Sequence, residues 1–262
     1  MKKDSPKSYD VLGNIAIVKF PKGMKKQDKI KFSRELMKRG NSIKTILEKE
    51  GKIHGRLRKI KTRYVFGEKT KEVIYRENGC VFRFNIDTTY FSPRLSNERK
   101  EIANKVKKDE TVLVMFAGVG PYSIVIAKNS KAKIVFSNEI NREANKYAKL
   151  NIELNNLKKK VELIPGDIKK SVKELKDKKI DVIVMPRPKL KETFLKEAFS
   201  LSKKGTRIYY YDFCDSEKTS EVIEKIKAYG KKSRKKIKIL GKKAAGEIAP
   251  GKIRLRVDFK VL

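Results

Sequence analysis

The sequence predicts a doubly wound α/β domain behind a smaller α+β domain, and three observations carry that reading. An apolar run, Val112-Leu113-Val114-Met115-Phe116, feeds a turn containing Gly118 and Gly120, and a helix-capable segment, Tyr122 to Lys128, follows at once. Strand, glycine turn and helix in that order form the nucleotide-side loop of a parallel sheet, whose ligand lies at the strand's carboxyl end. From Thr111 onward, strand-like and helix-like stretches alternate to the end of the chain, which argues a mostly parallel sheet with helices on both faces. Residues 1–90 instead carry short β-type runs separated by glycines, the pattern of an antiparallel module.

In order, residues 11–20 read as a strand pair or one bent strand punctuated by Gly13-Asn14. Lys26 to Arg39 suits a helix, with Ile30, Phe32, Leu36 and Met37 near helical spacing. Ile43, Ile46 and Leu47 fit either a short helix or a strand. β-type runs follow at 53–60, 64–66, 73–75 and 81–86, and Asn78-Gly79 is a strong hairpin signal. Tyr90-Phe91-Ser92-Pro93-Arg94 breaks the pattern, so the expected domains are 1–90 and 91–262. In the second, helices are expected at 97–106, 122–128, 142–155, 168–176, 190–201 and 220–228. Strands are expected at 111–115, 133–137, 161–163, 182–185, 207–211, 236–240 and 254–261. No internal repeat is present.

Lys and Arg number 67 against 31 Asp and Glu, a formal charge of +36. That excess repels itself in the compact state and marks a polyanion-binding surface. Lysine runs at 157–160, 177–179 and 231–236 suit exposed turns or RNA-phosphate contacts. Cys80 and Cys214 lack any metal or redox spacing, and His54 is the only histidine, so no metal site and no histidine-based triad are expected. The Lys-rich amino terminus has no apolar core, and no apolar run approaches the length of a membrane span. A cytoplasmic protein without a membrane partner is the expectation.

The second strand ends in Asn138-Glu139-Ile140-Asn141, with Glu139 about twenty residues after the glycine turn. A carboxylate there can accept hydrogen bonds from both ribose hydroxyls of an adenosine. After the third strand, Asp167 in Pro165-Gly166-Asp167 can reach an adenine amino group. The turn is neither Gly-x-Gly-x-x-Gly nor a phosphate loop. Glycine turn, Glu139 and Asp167 together fit S-adenosylmethionine better than NAD. The alternation also runs into a carboxyl-terminal β-pair, as in class I methyltransferases, giving a Rossmann-like, seven-stranded sheet. Phe116, Ala117, Gly118, Gly120, Glu139, Asp167 and Met185 make up the expected cofactor set.

Tyr90-Phe91-Ser92-Pro93-Arg94-Leu95-Ser96-Asn97-Glu98-Arg99, followed by Met115-Phe116-Ala117-Gly118-Val119-Gly120-Pro121-Tyr122-Ser123, resembles the archaeal/eukaryal tRNA (guanine-37, N1) methyltransferases. Those enzymes share a superfamily with the wybutosine-pathway tRNA enzymes. Further matches are Ser8 to Ala16, Arg76-Glu77-Asn78-Gly79, Asn138 to Asn141 and Tyr209-Tyr210-Tyr211, so the resemblance covers essentially the whole chain. A separate tRNA-elbow domain found in some members has no counterpart in these residues, which implies a weaker reading of the whole tRNA. The resemblance implies S-adenosylmethionine as cofactor and the anticodon stem-loop of tRNA as partner, with a monomer as the default state.

Guanine N1 carries a proton and is a poor nucleophile at neutral pH, so the reaction needs a base near N1 and a cation or donor near O6. By resemblance, Glu98 matches the family's general base, and Arg58 matches the arginine that stabilises the target base. Tyr90, Arg94 and Arg99 are the expected RNA contacts, with Tyr90 able to stack on an extruded base. Two positions depart from the family. Val114 stands where Asp is usual, and Met185-Pro186-Arg187-Pro188 stands where Asn-Leu-Pro is usual. Pro186 supplies neither a side-chain amide nor an N–H; Arg187 could take over as a charged donor. The substrate is then guanosine or a tricyclic wyosine intermediate, methylated at C7. The alternatives are aminocarboxypropyl transfer and a non-catalytic RNA-binding module on a decayed fold.

Overall fold

A computed structural model describes residues 6, 8–40, 42–54 and 59–262. The chain divides into two compact units, Met1–Pro93 and Arg94–Leu262.

In the first unit, β1 (Tyr9–Leu12), β2 (Ile15–Val18), β3 (Thr45–His54) and β4 (Lys59–Gly67) form a sheet in the order β1-β2-β3-β4. Strands β2 and β3 are parallel, and the connection between them carries α1 (Lys26–Arg39), as parallel neighbours require a crossover. Ala16, Val18, Leu36, Ile43 and Ile46 close one core, with Phe32, Met37 and Phe66 packed against it. Residues 43–47, which suit helix or strand by sequence, enter β3, because Ile46 and Leu47 are wholly buried between neighbouring strands. The β5 (Glu72–Glu77) and β6 (Cys80–Asn85) hairpin turns on Asn78 (φ 49°) and Gly79 (φ 71°), the two positive dihedrals of a type I′ turn. Gly13 (φ +55°) is required by space as well: a Cβ there would lie 1.9 Å from the carbonyl oxygen of Ile74. Asn14 finishes that contact by accepting a hydrogen bond from the Ile74 N–H at 2.8 Å.

The second unit is built on a seven-stranded sheet. Its strands are β7 (Thr111–Met115), β8 (Ile134–Glu139), β9 (Val161–Pro165), β10 (Val182–Met185), β11 (Arg207–Asp215), β12 (Ile237–Ala249) and β13 (Lys252–Val261). Their spatial order is β12-β13-β11-β10-β7-β8-β9. The five from β11 to β9 run parallel, and β13 and β12 are antiparallel additions at one edge. Helices α2 (Ser96–Lys105), α3 (Pro121–Asn129), α4 (Arg142–Leu154), α5 (Ile168–Leu175), α6 (Leu195–Leu201) and α7 (Thr219–Lys232) supply the crossovers and faces. Residues 112–115 and 182–185 are fully buried, as strands covered on both faces must be. The order reverses between β7 and β10, so the crevice at their carboxyl ends is the switch point where such sheets bind ligands.

Two elements differ from the sequence expectation. The helix expected from Leu190 starts only at Leu195. Pro186 and Pro188 favour extended neighbours and lack N–H donors. Arg187 then occupies the carbonyls of Leu190 and Glu192, and Phe194 takes a left-handed φ of 58°. The carboxyl-terminal hairpin is longer than residues 236–240 and 254–261. The Lys-, Gly- and Ala-rich stretch 241–249 has weak strand propensity, yet it pairs along β13, which itself pairs with β11 from Arg207↔Lys260 to Asp215↔Lys252.

Candidate functional site

The loop after β7 is shaped by three left-handed residues, Phe116 (φ 60°), Gly118 (φ 59°) and Gly120 (φ 86°). Phe116 is the unusual member, since a bulky residue pays for that region of dihedral space. Pro121 opens α3 at a position that needs no N–H. The end of β8 braces the loop. Glu139 accepts from the Gly118 N–H at 2.7 Å through Oε2 and from the Asn141 N–H at 2.8 Å through Oε1. Ala117 N–H donates to the Asn138 carbonyl at 2.9 Å, and Asn151 of α4 donates to the Val119 carbonyl at 3.0 Å. Buried Asn138 ties β8 to the end of β9 by donating to the Ile164 carbonyl at 2.8 Å. Asp167 caps α5, accepting from the Lys169 N–H at 3.1 Å. Met185, wholly buried, ends β10 beside β7.

This donor and acceptor set fits an adenosine-type group. A carboxylate offers about four lone-pair positions, and Glu139 has committed two of them, leaving room for a ribose diol. Gly118 and Gly120 hold no side chain over the loop.

Glu98 lies on α2, 5% exposed. Its Oε1 accepts from the Tyr211 hydroxyl at 2.7 Å and from Arg256 Nη1, while Oε2 lies 3.9 Å from Lys243 Nζ. Arg256 also binds Asp258 at 2.7 Å and Glu101 at 2.6 Å. Burial opposes the Arg256 charge, but Glu101, Glu98 and Asp258 outweigh it and push its pKa up. Tyr211 stays protonated, because burial and then the neighbouring Tyr122 and Glu98 raise its pKa well above 10. It therefore acts as a donor. Burial raises the Glu101 pKa, but hydrogen bonds from Arg256 and Lys243 prevail and bring it from 4.5 to about 2. The folded state thus resists protonation of Glu101 more than the unfolded chain does. The stability this confers is complete above pH 4.5 and is lost as pH falls towards 2. The stability gap between wild type and Glu101→Gln is expected to narrow across that window in denaturant melts. A gap independent of pH there would contradict the assignment.

The guanidinium of Arg187 is turned inward, 2% exposed. Nη1 binds Asp212 at 2.6 Å, and Nη2 donates to the Leu190 and Glu192 carbonyls at 2.7 and 2.8 Å. Asp212 also accepts from Tyr210 at 3.1 Å and Lys225 at 3.2 Å. Both terminal nitrogens are therefore spent on holding the 186–194 loop to β11. At its far end that loop meets the glycine loop, where the Phe194 and Phe116 rings pack edge to face at 4.9 Å. Arg187→Met leaves Asp212 buried beside Lys225 alone and is expected to cost about 3 kcal/mol of stability, read by urea unfolding. A loss under about 1 kcal/mol would show that Lys225 compensates.

Arg94 is exposed and Tyr90 is half-buried, each in its own unit. Arg99 is 1% exposed, with its guanidinium 5.8 Å from the Tyr122 ring centre. Arg58 lies outside the described residues. Sequence reasoning missed Tyr211, Arg256 and Asp212 as site-supporting residues; the Tyr209-Tyr210-Tyr211 run was the only signal pointing near them. Among the described residues no cluster of His, Cys, Asp and Glu could hold a metal, and no helix is long and apolar enough to cross a membrane.

Residues 73–240 match the TRM5/TYW2 methyltransferase domain, and residues 1–70 match the TYW2 N-terminal domain. Over 257 residues the chain is 35% identical to the tRNA (guanine(37)-N(1))-methyltransferase Trm5b of Pyrococcus abyssi, covering 98% of this chain and 75% of that one. It is 33% identical to the tRNA (guanine(37)-N(1))/4-demethylwyosine(37)-methyltransferase Taw22 of Nanoarchaeum equitans, covering 97% and 100%. A tRNA(Phe) (4-demethylwyosine(37)-C(7)) aminocarboxypropyltransferase of Methanocaldococcus jannaschii is 30% identical, covering 96% and 97%. The crystal structure of Pyrococcus abyssi Trm5b superposes with a TM-score of 0.84 at 34% identity, covering 99% of this chain and 76% of that one. The M. jannaschii TYW2 structure in complex with AdoMet gives 0.72 at 25% identity, covering 97% and 100%.

Proposed function

The chain belongs to the TRM5/TYW2 methyltransferase family, and on that premise we propose that it is an S-adenosylmethionine-dependent tRNA methyltransferase acting on the purine at position 37. The observation that carries this reading is the glycine loop locked onto Glu139 at the switch point of the sheet. S-adenosylmethionine, when bound, supplies an electrophilic carbon on a sulfonium. Gly118, Gly120, Phe116 and Ala117 would hold it along the loop, Glu139 at the ribose, Asp167 at the adenine edge and Met185 beneath.

The residues of this chain must then deprotonate and orient the base. Glu98 is proposed as the proton acceptor through Oε2, because Tyr211 and Arg256 both load Oε1 and fix the carboxylate plane. Arg58 is proposed to steady the charge that grows on O6 as N1 loses its proton. Tyr90 and Arg94 are proposed RNA contacts. For buried Arg99 and Arg187 we propose positioning roles, Arg99 beneath α3 and Arg187 through the 186–194 loop. Residues 1–90 would position the anticodon stem-loop, and residues 91–262 would carry the chemistry. Transfer from a sulfonium to a deprotonated nitrogen needs no metal, and we propose a monomer working in the cytoplasm with its tRNA.

A second reading, aminocarboxypropyl transfer to C7 of a tricyclic wyosine intermediate, is favoured by one feature. Pro186 ends β10 with no donor for a guanine. Nucleoside mass spectrometry after incubation with guanosine-37 tRNA and with 4-demethylwyosine-37 tRNA decides between them. A methyl on guanosine N1 or on C7 supports the first reading, and an aminocarboxypropyl group the second. Unchanged position 37 in both substrates would sink the enzyme reading.

A further inference from the structure

The carboxyl end of β11 carries a groove of about 290 Å³. Four lysines line it: Lys189 from the 186–194 loop, Lys218 and Lys225 from the start of α7 and the turn before it, and Lys252 from β13. Two carboxylates, Asp215 and Glu221, also line it, so positive charge prevails. Lys218 and Glu221 are 3.9 Å apart with both side chains exposed, a pair worth little. Lys225 is engaged by Asp212. Among the described residues Lys189 and Lys252 make no ion pair with a carboxylate. The floor is apolar: Phe213 and Val222 lie in it, and Ile248, 45% exposed, stands at its rim. A large aliphatic side chain exposed beside unpaired lysines needs an explanation that a solvated surface does not offer.

We infer that this groove seats one nucleotide of the RNA substrate next to the modified base, its phosphate among Lys189, Lys218 and Lys252 and its sugar or base face on Phe213 and Ile248. Charged rim and apolar floor are the two components of single-stranded nucleic acid binding. One loop borders both places, since Lys189 lines the groove while Phe194 packs on Phe116 of the glycine loop. Parallel strands end on the same side of the sheet, so a chain whose target base enters beside β7 has its neighbours within reach of β11. The inference rests on the RNA-modifying function proposed above.

The test compares Lys218→Ala/Lys252→Ala with Lys158→Ala/Lys159→Ala, an equal charge change in the turn leading into the amino end of β9. Binding of an anticodon stem-loop RNA is titrated against salt, S-adenosylmethionine binding is measured by calorimetry, and steady-state kinetics follow. For the groove variant, the slope of log affinity on log salt is expected to fall by about 1.4, or about 0.7 per phosphate contact. KM for RNA should rise about tenfold, with kcat and S-adenosylmethionine affinity unchanged, and the remote pair should shift the slope by less than half as much. Equal slopes and equal KM for the two pairs would overturn the groove. Wild type that binds RNA with the groove-dependent slope but neither binds S-adenosylmethionine nor modifies tRNA would overturn the functional reading and leave the groove standing.

Discussion

Glu98→Gln is expected to slow group transfer by about 10²–10⁴-fold, the usual worth of a positioned base, while S-adenosylmethionine binds as before. The substitution keeps the shape of the side chain and an oxygen for Tyr211, but an amide cannot take a proton from guanine N1. It also removes the charge facing Arg256. Asp258 and Glu101 still neutralise that arginine, so the fold is expected to survive. Single-turnover kinetics with saturating cofactor separate this chemical defect from binding. A rate within threefold of wild type would remove Glu98 from the mechanism. A parallel loss of cofactor affinity would instead show that the carboxylate only holds the architecture.

Glu139→Ala is expected to weaken S-adenosylmethionine binding about a hundredfold or more. Each hydrogen bond from a ribose hydroxyl to a charged acceptor contributes about 1.5–3 kcal/mol, and two are lost together. The glycine loop loses a tie as well, because the Gly118 and Asn141 N–H groups both donate to this side chain. Glu139→Gln retains one acceptor oxygen and should fall between the two. Calorimetric titration reads both variants. An affinity for Glu139→Ala within threefold of wild type would place the nucleoside elsewhere.

The glycine loop, its spacing to Glu139 and the alternation that builds the sheet could be read along the chain, because each is encoded over a few consecutive residues. So could the Asn78-Gly79 hairpin, whose two positive dihedrals follow from those residue types. The start of α6 could not. Leu190 to Leu201 has helical periodicity, but Arg187 draws the carbonyls of Leu190 and Glu192 away from a helix. The antiparallel extension over 241–249 was equally hidden, since its strand character comes from pairing with β13 rather than from its own residues.

What the amino-acid order alone determined was the class of the sheet, the place of its ligand loop and the acidic side chain that closes it. Periodicity and dihedral preference act locally and need no partner. What only the tertiary structure decided was the state of the charged groups. Glu98 meets Arg256 from 158 positions away, and Arg187 turns inward to Asp212 from 25. A side chain's charge, burial and reach depend on what the fold brings against it, and no window along the chain contains those partners.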